Sequence, residues 1–331
     1  MTETLSLDDI ERLSFDVLRR VGASEAAARS LAAATAAAEA EGQRNVGLAH
    51  LPDYLDGYRH GRIRGGAVPN LVRPAPAMFV SDANGGLAHQ GFDLAADDLA
   101  AAAQTLGLAL FTQRNAFTCG AVGYFAHRLA MRGLVALATT NGPALMTGSG
   151  GGRPVFCTNP LAFAVPRGSG RVLLIDQSSS ATAYVNLRAA ADAGQPIPEG
   201  WAVDAEGLST TDPREAMRGA LLAFGGSRGA NIALMVELLS AGLSGANWSV
   251  DAPRFDAGAE SPGAGLFVLA IHPNGLGHDL TGRVDTYLER LSHDYGVHVP
   301  GEAKEAHREN AIRDGIEVPA DLLIRLRSYM D

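Results

Sequence analysis

The chain is poor in cysteine, in aromatic residues and in clustered positive charge. Its two cysteines, Cys119 and Cys157, lie in apolar or glycine-rich surroundings without metal-ligand spacing, and they read as reduced thiols of a cytoplasmic protein. An aromatic content of 6% beside 39 glycines predicts many tight turns and a core built from Ala, Leu and Val. The net charge of −9, with basic residues scattered, argues against a nucleic-acid partner, so any anion site has to be local. No apolar stretch reaches 18 residues without interruption, which speaks against a membrane span. The opening MTETLSLDDIERL lacks the positive start and apolar segment of a signal peptide. There is no Gly-x-Ser-x-Gly elbow and no His-Glu-x-x-His, and the nine histidines form no metal spacing. No bound metal is expected.

What is present fits an α/β protein. With 331 residues, 47% of them hydrophobic, the chain can bury one large core or two joined ones. Ser6 opens a helix through Arg20, and Ser24 caps an Ala-rich helix from Glu25 to about Glu41; a third runs from Leu51-Pro52 to Gly61. Strand-like runs follow at Met78-Ser81, Leu108-Thr112, Leu134-Thr140, Leu161-Val165, Val172-Asp176 and Leu266-Ile271. Helical patterns at Leu94-Leu106, Ala121-Arg132 and Asn231-Leu243 lie between them, so a sheet covered on both faces is expected. Amphipathic helices return from Leu280. The expected organisation is a helical part made of residues 1–76 with 277–331, and an α/β part over residues 77–276.

The segment Phe224-Gly225-Gly226-Ser227-Arg228-Gly229 runs straight into an apolar helical stretch. Its glycines allow close backbone approach, Arg228 supplies a cation, and the helix start offers free amides with the positive dipole end behind them. A phosphate or carboxylate suits that arrangement; a tight structural turn is the plainer alternative. It is neither a Walker loop nor a Gly-x-Gly-x-x-Gly fingerprint. Thr147-Gly148-Ser149-Gly150-Gly151-Gly152-Arg153 superficially resembles a dinucleotide loop but runs into Pro154-Val155-Phe156 rather than a helix.

Asp176 ends an apolar strand and precedes Gln177-Ser178-Ser179-Ser180, where α/β sheets place ligands; the alternative is a cap for the next helix. His50 has apolar neighbours and reads either as a structural histidine or as an acid–base group. Thr118 sits at a strand–loop–helix junction, as a ligand contact or a helix N-cap. Asn159 lies in a turn before a strand, with a bond to backbone or to ligand as the two options.

Taken in order, Asn45-Val46-Gly47…His50-Leu51-Pro52…Tyr54, Asn159-Pro160, Ile175-Asp176…Ser180, Ile197-Pro198…Gly200-Trp201, Thr210-Thr211-Asp212-Pro213, Phe224-Gly225-Gly226…Arg228-Gly229 and Pro300-Gly301-Glu302 resemble the malate/L-lactate dehydrogenase-like oxidoreductases. The resemblance covers nearly the whole chain and is strongest toward reductases of cyclic imino acids. It implies a non-Rossmann mixed sheet with helices on its faces, a helical layer from both termini, and a homodimer with active sites near the subunit interface. It further implies that Gln177, Ser178, Ser179, Ser180, Ser227, Arg228, Gly229, Gly301 and Glu302 hold NADPH or NADH. Arg44, Asn45, Thr118 and Asn159 are then expected at a small carboxylate substrate.

Three departures from the family pattern bear on the chemistry. Val46 stands where the family has its proton-donating His, His50 stands where it commonly has Arg, and Thr118 replaces a His. A cyclic imine can be bound already protonated, with a carboxylate such as Asp176 stabilising it. A ketone gains more from a neighbouring acid, with His50 in that role and Asp176 orienting His50 or the nicotinamide. The first expectation is therefore an imino-acid reductase with Asp176 central, the second a 2-oxo-acid/2-hydroxy-acid dehydrogenase using His50. A non-catalytic binding protein is a distant third.

Overall fold

The computed structural model describes residues 2–168, 170–273, 277 and 279–330. In chain order it begins with β1 (Thr2–Leu5), α1 (Leu7–Arg20), α2 (Glu25–Ala40) and α3 (Leu51–Arg59). Next come β2 (Asn70–Ala75), β3 (Met78–Asp82), α4 (Ala88–Leu106), β4 (Leu108–Ala116), α5 (Gly123–Ala130) and β5 (Val135–Thr140). The short strands β6 (Met146–Thr147) and β7 (Pro154–Phe156) precede a hairpin of β8 (Leu161–Pro166) and β9 (Val172–Gln177). Beyond it lie α6 (Tyr184–Ala193), β10 (Ala202–Val203), β11 (Ser209–Thr210), α7 (Pro213–Arg218) and β12 (Ala220–Leu221). The last stretch holds α8 (Ser227–Glu237), β13 (Ala264–Ile271), α9 (Leu280–Tyr295), α10 (Glu302–Asp314), β14 (Ile316–Pro319) and α11 (Ala320–Arg327).

The caps act as the residues dictate. Ser6 Oγ accepts from the Asp9 amide at 3.1 Å and the Asp9 carboxylate reaches back to the Ser6 amide, closing a capping box on α1. Ser24 Oγ accepts from the Ala27 amide at 3.2 Å and starts α2.

The main sheet has seven strands in the order β2-β3-β4-β13-β5-β8-β9. Only β3 and β4 run parallel, so the sheet is mixed. Alternation along β13 covers both faces: Leu266, Val268 and Ala270 are buried in the core that also holds Phe92, Leu99, Phe125 and Leu129 of α4 and α5. Gly265 faces the other way, where an added Cβ would lie 2.2 Å from Ser240 O in the single π-turn that continues α8. A second core joins α1, α2 and α3 to Ala311, Ile316, Val318, Leu323 and Leu326, so the two termini build one helical layer, tied by the β1–β14 pair.

Two expectations need adjusting. β2 lies before the border drawn at residue 76 yet belongs to the main sheet; the other border, at 276–277, touches residues 274–276, which lie outside the described residues. The stretch taken as one α/β part also holds a second sheet, β11-β10-β12-β6-β7, with its own core around Met146, Leu187, Ile197 and Leu221. Its strands are two or three residues long, too short to leave an alternating pattern. Among the described residues no helix is long and apolar enough to cross a membrane.

Candidate active site

Asp176 is held at the end of β9 through one oxygen. Its Oδ2 accepts from Gln43 Nε2 at 2.9 Å and from Lys304 Nζ at 3.0 Å, while Oδ1 accepts from none of the described residues. Lys304 is the only lysine in the sequence. It also lies 3.5 Å from Glu41 Oε2, and Arg308 Nη2 donates to Glu41 Oε1 at 2.6 Å. Burial pushes the Glu41 carboxyl up, against the opposing pull of Lys304 and Arg308. Arg308 Nη1 donates to His127 Nε2 at 2.9 Å, and burial, aided by Arg308 and Lys304, holds that imidazole down at about 4 and therefore neutral. A Cβ on Gly123 would lie 2.6 Å from Asp176 Oδ2, so glycine at the head of α5 is what admits the carboxylate. Asp176 caps no helix, since the residue at the N-cap of α6 is Ala183.

His50 has a different partner from the one expected in the ketone reading. Its Nδ1 lies 2.7 Å from Asp53 Oδ2, so Asp53, one helical turn on, orients the ring rather than Asp176. The ring packs edge-on against Tyr54, with centroids 4.9 Å apart, and against Phe255 at 6.0 Å. Burial drives the Tyr54 phenol upward and holds His89, whose ring lies 6.4 Å from Tyr54, down at about 4. Tyr54 OH, Thr118 Oγ1 and His89 Nδ1 are buried without a well-formed hydrogen bond among the described residues, Thr118 lying beside the phenol. Thr118 is not the cap of α5, which begins five residues later behind Val122.

One loop joins these two groups. A Cβ on Gly120 would meet Tyr54 OH at 3.4 Å and His89 Nε2 at 3.7 Å, and Gly123 touches Asp176. Three residues span at most about 11 Å, so the His50–Tyr54 pocket and the Asp176 carboxylate flank a common wall.

The serine run and the glycine-rich turn, separate in sequence, are neighbours in space. Ser180 bridges Ala223, the Phe224 amide donates to Ser179 O at 3.1 Å, and the Ala181 amide donates to Leu222 O at 2.8 Å. A cleft of about 380 Å³ opens there, lined by Gly225, Gly226 and Ser227 on one side and Thr147 to Gly151 on the other. The second glycine-rich segment thus belongs to this cleft although it starts no helix. Gly226 caps α8 at φ 65° with no side chain bonded to the first amides, and an added Cβ at Gly225 or Gly226 would meet open space. Free amides, an exposed Arg228 and a glycine-lined cradle fit the phosphates of a dinucleotide. Gly229 serves the turn itself, because a Cβ there would lie 2.2 Å from Phe224 O.

The remaining residues fall into three places. Ser179 Oγ donates to Asn159 O at 2.8 Å and Ser180 Oγ to Thr182 O at 2.7 Å, Ser178 Oγ lies 3.0 Å from Ser180 Oγ, and Gln177 is exposed. Asn159 is fully buried, its Nδ2 donating to Ala233 O and to Glu237 Oε2 at 2.8 Å each, with Oδ1 unpartnered. Arg44 and Asn45 are exposed on the single 3-10 turn between Gln43 and Gly47. Gly301 packs on the backbone of β9 and Glu302 lies 3.8 Å from Arg167 Nη1; neither lines the glycine cleft. What placing Gly301 there does is start α10 so that Lys304 reaches Asp176. Gln43, Glu41, Lys304, Arg308, Asp53 and His89 were missed as site residues. The uniqueness of Lys304 was the one signal available for them.

The glycine-rich turn before α8 is built without the Rossmann fingerprint. Residues 5–327 match the family model described as malate/L-lactate dehydrogenase. The chain belongs to that family. It is 36% identical over 99% of its length to a (2R)-3-sulfolactate dehydrogenase (NADP(+)) of Chromohalobacter salexigens, 98% of which is covered. A Δ1-pyrroline-2-carboxylate reductase of Pseudomonas fluorescens is 34% identical, with 99% of this chain and 98% of that one covered. The crystal structure of the Δ1-piperideine-2-carboxylate reductase of Pseudomonas syringae pvar. tomato superposes with a TM-score of 0.95 at 32% identity, over 99% of this chain and all of that one.

Proposed function

We propose that the chain is an NAD(P)H-dependent reductase of a small cyclic imino acid of the Δ1-piperideine-2-carboxylate or Δ1-pyrroline-2-carboxylate type, giving the L-amino acid. The observation that carries this reading is Asp176 anchored through Oδ2 alone, with Oδ1 unclaimed. The dihydronicotinamide, when bound, supplies the hydride. The amides of Ser227 and Arg228, with the Arg228 guanidinium, are assigned to the cofactor's phosphates; those of Gly226 and Gly229 already donate to Ala223 O and Phe224 O. Asp176 Oδ1 stabilises the protonated C=N, and Gln43 and Lys304 fix the carboxylate so that it need not reorganise as charge moves. Val46 cannot move a proton, which an already protonated imine does not demand. Thr118 and Tyr54 supply hydroxyls to the substrate from a wall that excludes water.

A second reading rests on His50 and Asp53. A histidine oriented by a carboxylate at 2.7 Å is an acid for a ketone oxygen, and the relative that acts on a 2-hydroxy acid, sulfolactate, lends it weight. NADPH oxidation measured with Δ1-piperideine-2-carboxylate, Δ1-pyrroline-2-carboxylate, pyruvate and oxaloacetate, with NADP+ reduction by (2R)-3-sulfolactate in parallel, separates the two. Turnover of the 2-oxo or 2-hydroxy acids alone would discard the imine reading. We also propose that the protein works as a cytoplasmic homodimer, which light scattering of the purified chain tests.

A further inference from the structure

We propose a second small-oxyanion site, separate from the reaction centre, between the end of α3 and the loop 251–263. The observation is a buried cation without a counter-charge. Arg62 is 6% exposed, yet among the described residues its one side-chain hydrogen bond runs from Nη1 to Gly258 O at 3.0 Å, and its Nε has no partner. Among the described residues it makes no ion pair, and neither does Arg64, which drapes over Gly85 at the mouth of the same cleft. Taking a guanidinium out of water without an anion is strongly unfavourable, so a site of this kind selects one.

The surroundings leave room for an anion, although the amides of Asn84, Asn115 and Asn247 already donate to Val68 O, Asp82 and Pro262 O. The cleft encloses about 450 Å³ between Arg62, Arg64, Asn84, Asn115 and Asn247. Two carboxylates lie near. Glu260 lines the rim, and Asp82 is already engaged by Arg114 Nε at 2.9 Å and Asn115 Nδ2 at 2.9 Å. Two guanidinium groups with no ion pair among the described residues therefore face the Glu260 carboxylate on an exposed loop. The forked donors of arginine suit a carboxylate or a phosphate, and both have the geometry this cleft takes.

Its position makes it distinct from the substrate pocket. The nine residues of α3 separate His50 from the Arg62 end, a distance of roughly 14 Å along the helix axis. The loop 251–263 touches both ends: Phe255 packs on His50, while Gly258 O takes the Arg62 bond. An anion on Arg62 and Arg64 thus fixes the loop whose other part covers the His50 ring.

The test is calorimetric titration of the full chain with sodium phosphate and, separately, sodium malonate, at constant ionic strength. Binding of one or both is expected, and the arm that binds identifies the anion. Arg64→Gln, on the exposed rim, is expected to weaken it about tenfold or more, the loss of one charge-assisted contact. Arg62→Met should abolish it, and the rim variant keeps the test valid if that core variant fails to fold. No binding by wild type overturns the proposal. So does unchanged affinity in Arg64→Gln, or a loss confined to Arg228→Ala, which would put the anion in the glycine cleft instead. A wild type that ignores both anions while Glu260→Gln lowers its thermal midpoint would mean that the loop's own carboxylate fills the site.

Discussion

The glycine cleft and the Asp176 wall solve opposite problems. At Gly225 and Gly226 the chain removes side chains, no side chain claims the first amides of α8, and Arg228 stays in solvent. At Asp176 it gathers charge: Glu41 and Asp176 share Lys304, Arg308 closes the far side, and neutral His127 accepts from that arginine. On the proposed function, the first arrangement meets phosphate oxygens with backbone amides rather than side chains. The second is committed in advance, because two carboxylates about one ammonium hold their geometry only while the cation is present. If the proposed function holds, a change in the cleft should appear in KM, and a change in the wall in kcat or stability.

The largest expected effect comes from Asp176→Asn, which keeps size and removes charge. On a cyclic imine kcat should fall by about 10²-fold or more, with the cofactor's KM little changed. Steady-state kinetics check this, and full activity would make Asp176 structural.

Lys304→Met should cost about 2 kcal/mol of stability at pH 8, since it leaves Glu41 and Asp176 facing each other; partial exposure of the ammonium keeps the figure below that of a fully buried pair. Adding Glu41→Gln should restore part of the loss in urea unfolding. A double variant no better than the single would show that the two carboxylates do not share the cation.

Arg228→Ala should raise the KM for NADPH by the equivalent of about 1–2 kcal/mol and leave kcat and stability alone. An unchanged KM for both NADPH and NADH would remove the cleft from cofactor binding.

The smallest effect concerns His127. Its folded pKa, about 4, lies below the free value of 6.5, so its contribution is complete above pH 6.5 and fades as the pH falls toward 4. Unfolding measured across that window should show wild type losing about 1 kcal/mol more than His127→Gln, the figure being reduced because the ring is not fully enclosed. Parallel curves would mean that burial, with Arg308 and Lys304 beside the ring, does not hold this histidine's pKa down.

Local chemistry was legible from the residues alone. The helix start at Ser6, the strand that carries Asp176 and the glycine turn before α8 each act within a few residues, and the structure has a capped helix, β9 through Gln177 and the turn at those places. The boundaries of β4 and α4 were drawn too short for one reason. Gln113 is polar but buried because its amide packs against Gly91, where a Cβ would lie 1.7 Å from Oε1; polar letters therefore continue the strand, and Gly91 continues the helix.

The sequence by itself determined the α/β character, the terminal helices and the segments able to meet a phosphate, because periodicity, caps and glycine freedom are properties of neighbouring residues. Only the tertiary structure decided which of those segments meet. Ser180 and Ala223 pair across 43 residues, and Lys304 reaches Asp176 across 128. Those pairings follow from how the sheet order and the terminal layer pack, and no local pattern encodes a contact whose two halves form on different elements.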